Sequence, residues 1–413
     1  MSVPDNAHSL KGTTAKTRKP VPRGLKMTGP VIFSYGFRPF FLGAGIWAVF
    51  AMLLWILSLT LGMPLGGSYD ALNWHAHEML FGFGSAVLAG FLLTAVPNWT
   101  GSLPVSGTPL IVLSGVWLAG RLAFLYPDLI NFYAAIALES LFLPLLLAIC
   151  AREIIAGHKW KDLKVLIGLG ALTIANLTFH YTVITGGDIA LASRIAVSAY
   201  MMLIMIIGGR IVPSFTRNWL NRNNNPRFPV PFNRYDIACL IAGAVTLLSW
   251  IIAPDTVATL LLACLAAVMH SARLIRWRGW QTYSEKLLLI LHIAYAFIPA
   301  GFIAIALSAA GLLNTYSTLH IITVGAIGGM MLAVMGRATR GHTGNALNAS
   351  LTTSLSYICL VASALIRPFA EIILNYFHTI LAVSALLWIA AFALFVIEYA
   401  PMLVQDRRLR SGE

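Results

Sequence analysis

The 413-residue sequence predicts an all-α, polytopic membrane protein with twelve transmembrane helices, and three observations predict it. The chain is 58% hydrophobic and only 10% charged, with a mean hydropathy of +0.80, so it has too few charges to cover a soluble surface. Its apolar residues fall into twelve runs, each about long enough to cross roughly 30 Å of hydrocarbon as a helix rising 1.5 Å per residue. The basic residues between these runs collect on alternate loops, as they do when one side of a membrane holds the positive loops.

Residues 1–30 carry Lys11, Lys16, Arg18, Lys19, Arg23 and Lys26 among Pro, Gly and Thr, with no apolar run before Val31. This composition predicts a disordered basic cytoplasmic tail, not a cleaved signal peptide. A single transmembrane domain follows over 31–402. Its runs lie at about 33–61, 75–97, 107–125, 130–150, 163–184, 190–212, 236–253, 255–275, 286–311, 315–337, 351–367 and 373–400, divided where Gly, Pro, Asn or charges cluster. Pro254 and Asp255 leave a single turn between the seventh and eighth runs. Residues 403–413 form a short cytoplasmic tail.

With the N-terminal tail inside, 25 of the 28 Lys and Arg residues fall on the cytoplasmic side, and only Arg121, Arg194 and Arg367 fall outside. That partition predicts an even number of crossings with both termini cytoplasmic. The net charge of +13 is thereby explained without a nucleic-acid partner. Cys150, Cys239, Cys264 and Cys359 have no CxxC spacing and read as small apolar fillers.

The topology gives the histidines a depth. His75, His77, His180, His320 and His378 all fall in the outer half, and five imidazoles at one depth point to a metal or cofactor layer. Glu78 adjoins His77, and Glu139 lies inside the fourth run, where an ionisable group needs a partner; either relays protons or orients a histidine. An internal repeat relates these positions. Val96-Pro-Asn-Trp-Thr100 recurs as Val212-Pro-Ser-Phe-Thr216 at an offset of 116 residues, and Gly209-Arg210 recurs as Gly336-Arg337 at 127. Those offsets carry His77 to Ser193 and then to His320, which predicts three arcs of four helices.

His75, His77, Glu78 and the run Ala89-Gly-Phe-Leu-Leu-Thr-Ala-Val-Pro-Asn-Trp-Thr-Gly101, with Phe37-Arg38-Pro39-Phe40-Phe41 upstream, resemble the NnrS family over about residues 33–399. The resemblance implies a haem- and copper-containing protein of the bacterial inner membrane and of the nitric oxide response, acting in nitric oxide metabolism, denitrification or nitrosative stress tolerance. The three-arc architecture is also similar to the catalytic subunit of haem-copper oxidases. The chain lacks that family's His-His pair and its histidine–tyrosine crosslink spacing, which sets oxygen reduction aside.

A haem b would take axial imidazoles from His77 and His320, which share a repeat position, with His75 competing for the iron because residues two apart on a helix point about 200° apart. The absence of CxxCH excludes covalent c-type attachment. The outer arginines Arg194, Arg367 and Arg121 would meet the haem propionates. Copper would fall to His180, His378 and the histidine left free, His75 if His77 holds iron. The chain has no dinucleotide fingerprint, so electrons would come from a quinol or a partner protein. The alternative is a twelve-helix secondary transporter without a redox cofactor, which would carry its ionisable groups at the midplane.

Overall fold

A computed structural model describes residues 29–406. Apart from their inner ends, the basic segment expected at 1–30 and the tail expected at 403–413 lie outside the described residues. Within them there is no strand, and twelve helices are long and apolar enough to cross a membrane. They are α1 (Phe37–Leu61), α2 (Ala71–Thr100), α3 (Thr108–Leu125), α4 (Phe132–Ala156), α5 (Trp160–Ile184), α6 (Ala190–Arg222), α7 (Arg234–Ile252), α8 (Val257–Ile275), α9 (Lys286–Ala309), α10 (Thr315–His342), α11 (Leu351–Phe369) and α12 (Leu374–Val404). The chain is therefore a polytopic helical membrane protein whose outer helices contact lipid.

The helices divide into an outer ring and an inner triple. Large apolar side chains are exposed along stripes of the outer helices, such as Ile241, Val245, Leu248 and Ile252 on α7 and Leu261, Leu265 and Val268 on α8. Their spacing of three or four residues marks one helix face turned to the hydrocarbon. On α2, α6 and α10 such exposure is confined to Leu72, Leu191 and Tyr316, one near the start of each helix. These three helices pack against one another, and each belongs to one of three arcs, α1–α4, α5–α8 and α9–α12, whose other nine helices surround them. Neighbouring arcs meet through α4 against α5, α8 against α9, and α12 against α1, which closes the ring.

The repeat found in the sequence has a physical counterpart. The Arg210 guanidinium lies 5.6 Å from the ring centre of Trp99, and that of Arg337 lies 4.4 Å from the ring centre of Phe215. Shifting the first pair by the two repeat offsets gives the second, so α6 and α10 each stack a cation on the aromatic residue of the preceding inner helix. At the third aromatic position, His342 packs on Tyr35 and Phe37. Beside it, Arg38 donates to the carbonyls of Leu403 and Gln405, each at 2.8 Å, and so caps the end of α12 from the start of α1. Both ends of the described chain therefore lie on one face, here termed the terminal face; the face carrying the helix starts with His75 and His320 is the far face.

Candidate functional site

The site is organised by the start of α2. Asp70, at φ 57°, accepts from the backbone N–H of Asn73 at 2.9 Å and caps the helix, so it begins at Ala71 rather than at His75. His75 and His77 therefore sit on an ordinary α-helical turn and point to opposite sides. Immediately after His77 the backbone widens into a π segment, Glu78–Phe83, and a longer one, Ile321–Gly328, follows His320 on α10. Widening frees backbone carbonyls, which in an apolar layer must find donors. On α2 the Tyr200 hydroxyl donates to the Leu80 carbonyl at 2.8 Å, and Trp117 Nε1 donates to that of Gly82 at 3.0 Å.

On the His77 side, a buried cluster joins α2, α3, α4 and α5. Arg121 Nη1 donates to both oxygens of Glu78 at 2.6 Å, and its Nη2 donates to Glu139 Oε1 at 2.6 Å. Gly82 makes room for this pair, because a Cβ there would lie 2.5 Å from Arg121 Nη1 and 2.6 Å from Glu78 Oε2. His77 Nδ1 faces Glu78 Oε1 at 3.0 Å, and its Nε2 faces Asn176 Oδ1 at 3.0 Å. Asn176 Nδ2 donates to Glu139 Oε2 at 2.9 Å, which fixes the amide and leaves His77 with an acceptor at each nitrogen. With a proton on each, His77 and Arg121 balance Glu78 and Glu139 charge for charge.

His180 extends the network. Its Nε2 is 2.8 Å from Glu139 Oε2 and its Nδ1 is 3.1 Å from the Tyr69 hydroxyl. Burial, with the carboxylates of Glu139 and Glu78 nearby, holds the Tyr69 phenol well above its usual range, so Tyr69 donates to Nδ1 and His180 donates to Glu139. Ligand atoms of His77, Glu139 and His180 all lie within 4.8 Å of one another, a spacing that one metal ion spans. Two imidazoles and a carboxylate suit a transition metal and leave a coordination position for a further ligand.

His75 faces the other way. Its ring stacks on Trp55 at 4.5 Å and 13°, and its buried Nδ1 has no hydrogen-bond partner among the described residues. His320 lies close enough to interact with it electrostatically, and so does Arg367. His320 Nδ1 bonds to the Tyr316 carbonyl at 2.7 Å, which leaves Nε2 for another partner. The result is two imidazoles on facing inner helices, one with an orphaned nitrogen and one oriented by its own backbone. That donor chemistry fits axial ligation of a haem.

The expected groupings are thus rearranged. His320 lies on the His75 side of α2, while His77 points away into the ion-pair cluster. The copper set of His180, His378 and His75 is not assembled: His378 is exposed at the start of α12, His75 faces α1 and α10, and His180 is buried against Glu139. Arg121 does not reach toward a propionate, because two carboxylates occupy it. Arg367 binds Glu371 at 2.7 Å beside the His75–His320 pair, whereas Arg194 is half-buried with its Nη2 3.4 Å from the Ile251 carbonyl. Glu78 holds the His77 ring, as an orienting carboxylate would, and Glu139 stands among the ligand atoms. Asn176 and Tyr69 were not anticipated; the spacing of Asn176 and His180, four apart on one helix face, was the available signal.

Fold and site together define a polytopic helical membrane protein with a buried His/Glu cluster on one side of an inner helix and further histidines on the other. The chain belongs to the NnrS protein family, whose profile matches residues 31–407. No match was found among curated proteins.

Proposed function

We propose that this NnrS-family protein is a haem b- and copper-binding protein of the bacterial inner membrane, with both termini cytoplasmic, that acts on nitric oxide in denitrification or nitrosative stress tolerance. The observation that carries the reading is the separation of His75 and His77 into two sites with different chemistry. His75 and His320 would be the axial ligands of the haem, with Arg367 turned to its carboxylates. His77, Glu139 and His180 would hold copper, which would take the place of ring protons in the present hydrogen bonds. When bound, the haem supplies one-electron chemistry and the copper an open position for a small ligand such as nitric oxide. Glu78 would fix the His77 ring through Nδ1 while Nε2 takes the metal, and Arg121 would keep the carboxylates charged in a layer that excludes water. Electrons would come from a quinol or a partner protein.

The test is an absorption spectrum with metal analysis on one purified sample. Wild type should show a Soret band and copper. His75→Ala or His320→Ala should remove or convert the haem signal and keep the copper, while His77→Ala or His180→Ala should lower copper and keep haem. A colourless, metal-free wild type would turn the reading to secondary transport. Loss of haem in His77→Ala with a normal spectrum in His75→Ala would restore the pairing of His77 with His320.

A further inference from the structure

A cavity of about 190 Å³ opens at the terminal face between α6, the start of α9 and α10, lined by Phe215, Trp219, Arg222, Glu285, Arg337 and Leu347. Arg337 is its central cation. The guanidinium lies over the Phe215 ring, 4.4 Å from its centre, and no acceptor lies within hydrogen-bond reach of it among the described residues. Its repeat counterpart shows what is missing. Arg210, over Trp99, has Asp162 Oδ1 at 3.5 Å, whereas Arg337, in the same relation to Phe215, has no carboxylate within ion-pair distance among the described residues. Among the described residues Glu285 is the one acid lining the cavity, and its Oε1 accepts from the Leu287 N–H at 3.1 Å as the cap of α9. Two arginines against one acid leave a net positive charge on aromatic walls.

We propose that this cavity binds a small oxoanion, held by the Arg337 fork with Arg222 as a second cation. A guanidinium presents parallel N–H donors that match two oxygens of a carboxylate, phosphate or nitrogen oxyanion. The volume sets the size: it holds about six waters at roughly 30 Å³ each. Pockets for larger organic ligands start at about 300 Å³, so the volume suits a small anion or a single phosphate group. The same oxygens could come from a dissolved anion or from the phosphate of an anionic lipid, and the site lies at the end of the bundle where either would reach it. This inference does not depend on the haem or copper assignments.

The experiment is calorimetric titration of inorganic phosphate into the full-length protein, in discs of zwitterionic lipid and in discs containing anionic lipid. Saturable binding is expected in the zwitterionic discs. It should weaken at least tenfold in Arg337→Gln and several-fold in Arg222→Gln, and stay unchanged in Arg217→Gln, whose exposed side chain packs over Phe228 and does not line the cavity. Equal binding in both kinds of disc identifies a dissolved anion as occupant; binding suppressed by anionic lipid identifies the lipid phosphate. Absence of saturable binding in both discs, or undiminished binding in Arg337→Gln and Arg222→Gln, overturns the proposal.

Discussion

At the scale of single residues, the decisive fact is that two histidines two positions apart serve two surroundings. A regular helix alone requires that divergence, and it was legible in the sequence; the partners were not, because they come from helices far along the chain. His77 meets Asn176 and His180 on α5, and His75 meets Trp55 on α1 and lies near His320 on α10. Arg121 shows the cost of these choices. It is 1% exposed and joins Glu78 to Glu139, so Arg121→Leu leaves two buried carboxylates with only His77 as a neighbouring cation. Stranding a buried charge costs about 3–5 kcal/mol. Arg121→Leu should therefore lower the thermal midpoint of the purified protein sharply, and adding Glu139→Gln in the same chain should recover part of the loss. An Arg121→Leu protein as stable as wild type would mean that the two acids are not held as a charged pair.

At the scale of elements, the twelve runs in the sequence predict the twelve helices closely, but the inner helices run past their expected ends. α2, α6 and α10 were expected to stop near residues 97, 212 and 337 and continue to 100, 222 and 342. Pro97 and Pro213 suggested stops, yet the polar ends stay helical where Arg210 and Arg337 stack on the aromatic residues of neighbouring inner helices. The π segments could not be foreseen from periodicity, because a widened turn depends on donors supplied by other helices. Tyr200 is such a donor, and Tyr200→Phe would leave the Leu80 carbonyl without it in a buried layer. An unsatisfied buried acceptor costs about 1–3 kcal/mol. Tyr200→Phe should lower the thermal midpoint, while Tyr181→Phe, on the exposed face of α5, should not. Equal midpoints for the two variants would show that the segment holds its geometry without Tyr200.

At the scale of the whole molecule, three arcs around three inner helices bring the chain back to its starting face, and Arg38 fastens the end of α12 to the start of α1. That closure fixes the parity of the crossings but not which side of the membrane the ends occupy. The charge distribution supplies the sign. Arg222 ends α6 and Arg278 lies between α8 and α9, both on the terminal face, whereas Asp188 lies between α5 and α6 on the far face. Of the 28 Lys and Arg residues, 25 were assigned to the side that would be the terminal face, and basic loops are retained in the cytoplasm during insertion. Reporter fusions at Arg222 and Arg278 should therefore read cytoplasmic, and one at Asp188 periplasmic. Reversed signals at all three would keep the fold and invert the protein, turning both histidine sites toward the cytoplasm and the oxoanion cavity toward the periplasm. A periplasmic signal at Arg222 with a cytoplasmic one at Arg278 would instead break the even spacing of crossings, and the closed ring of twelve helices with it.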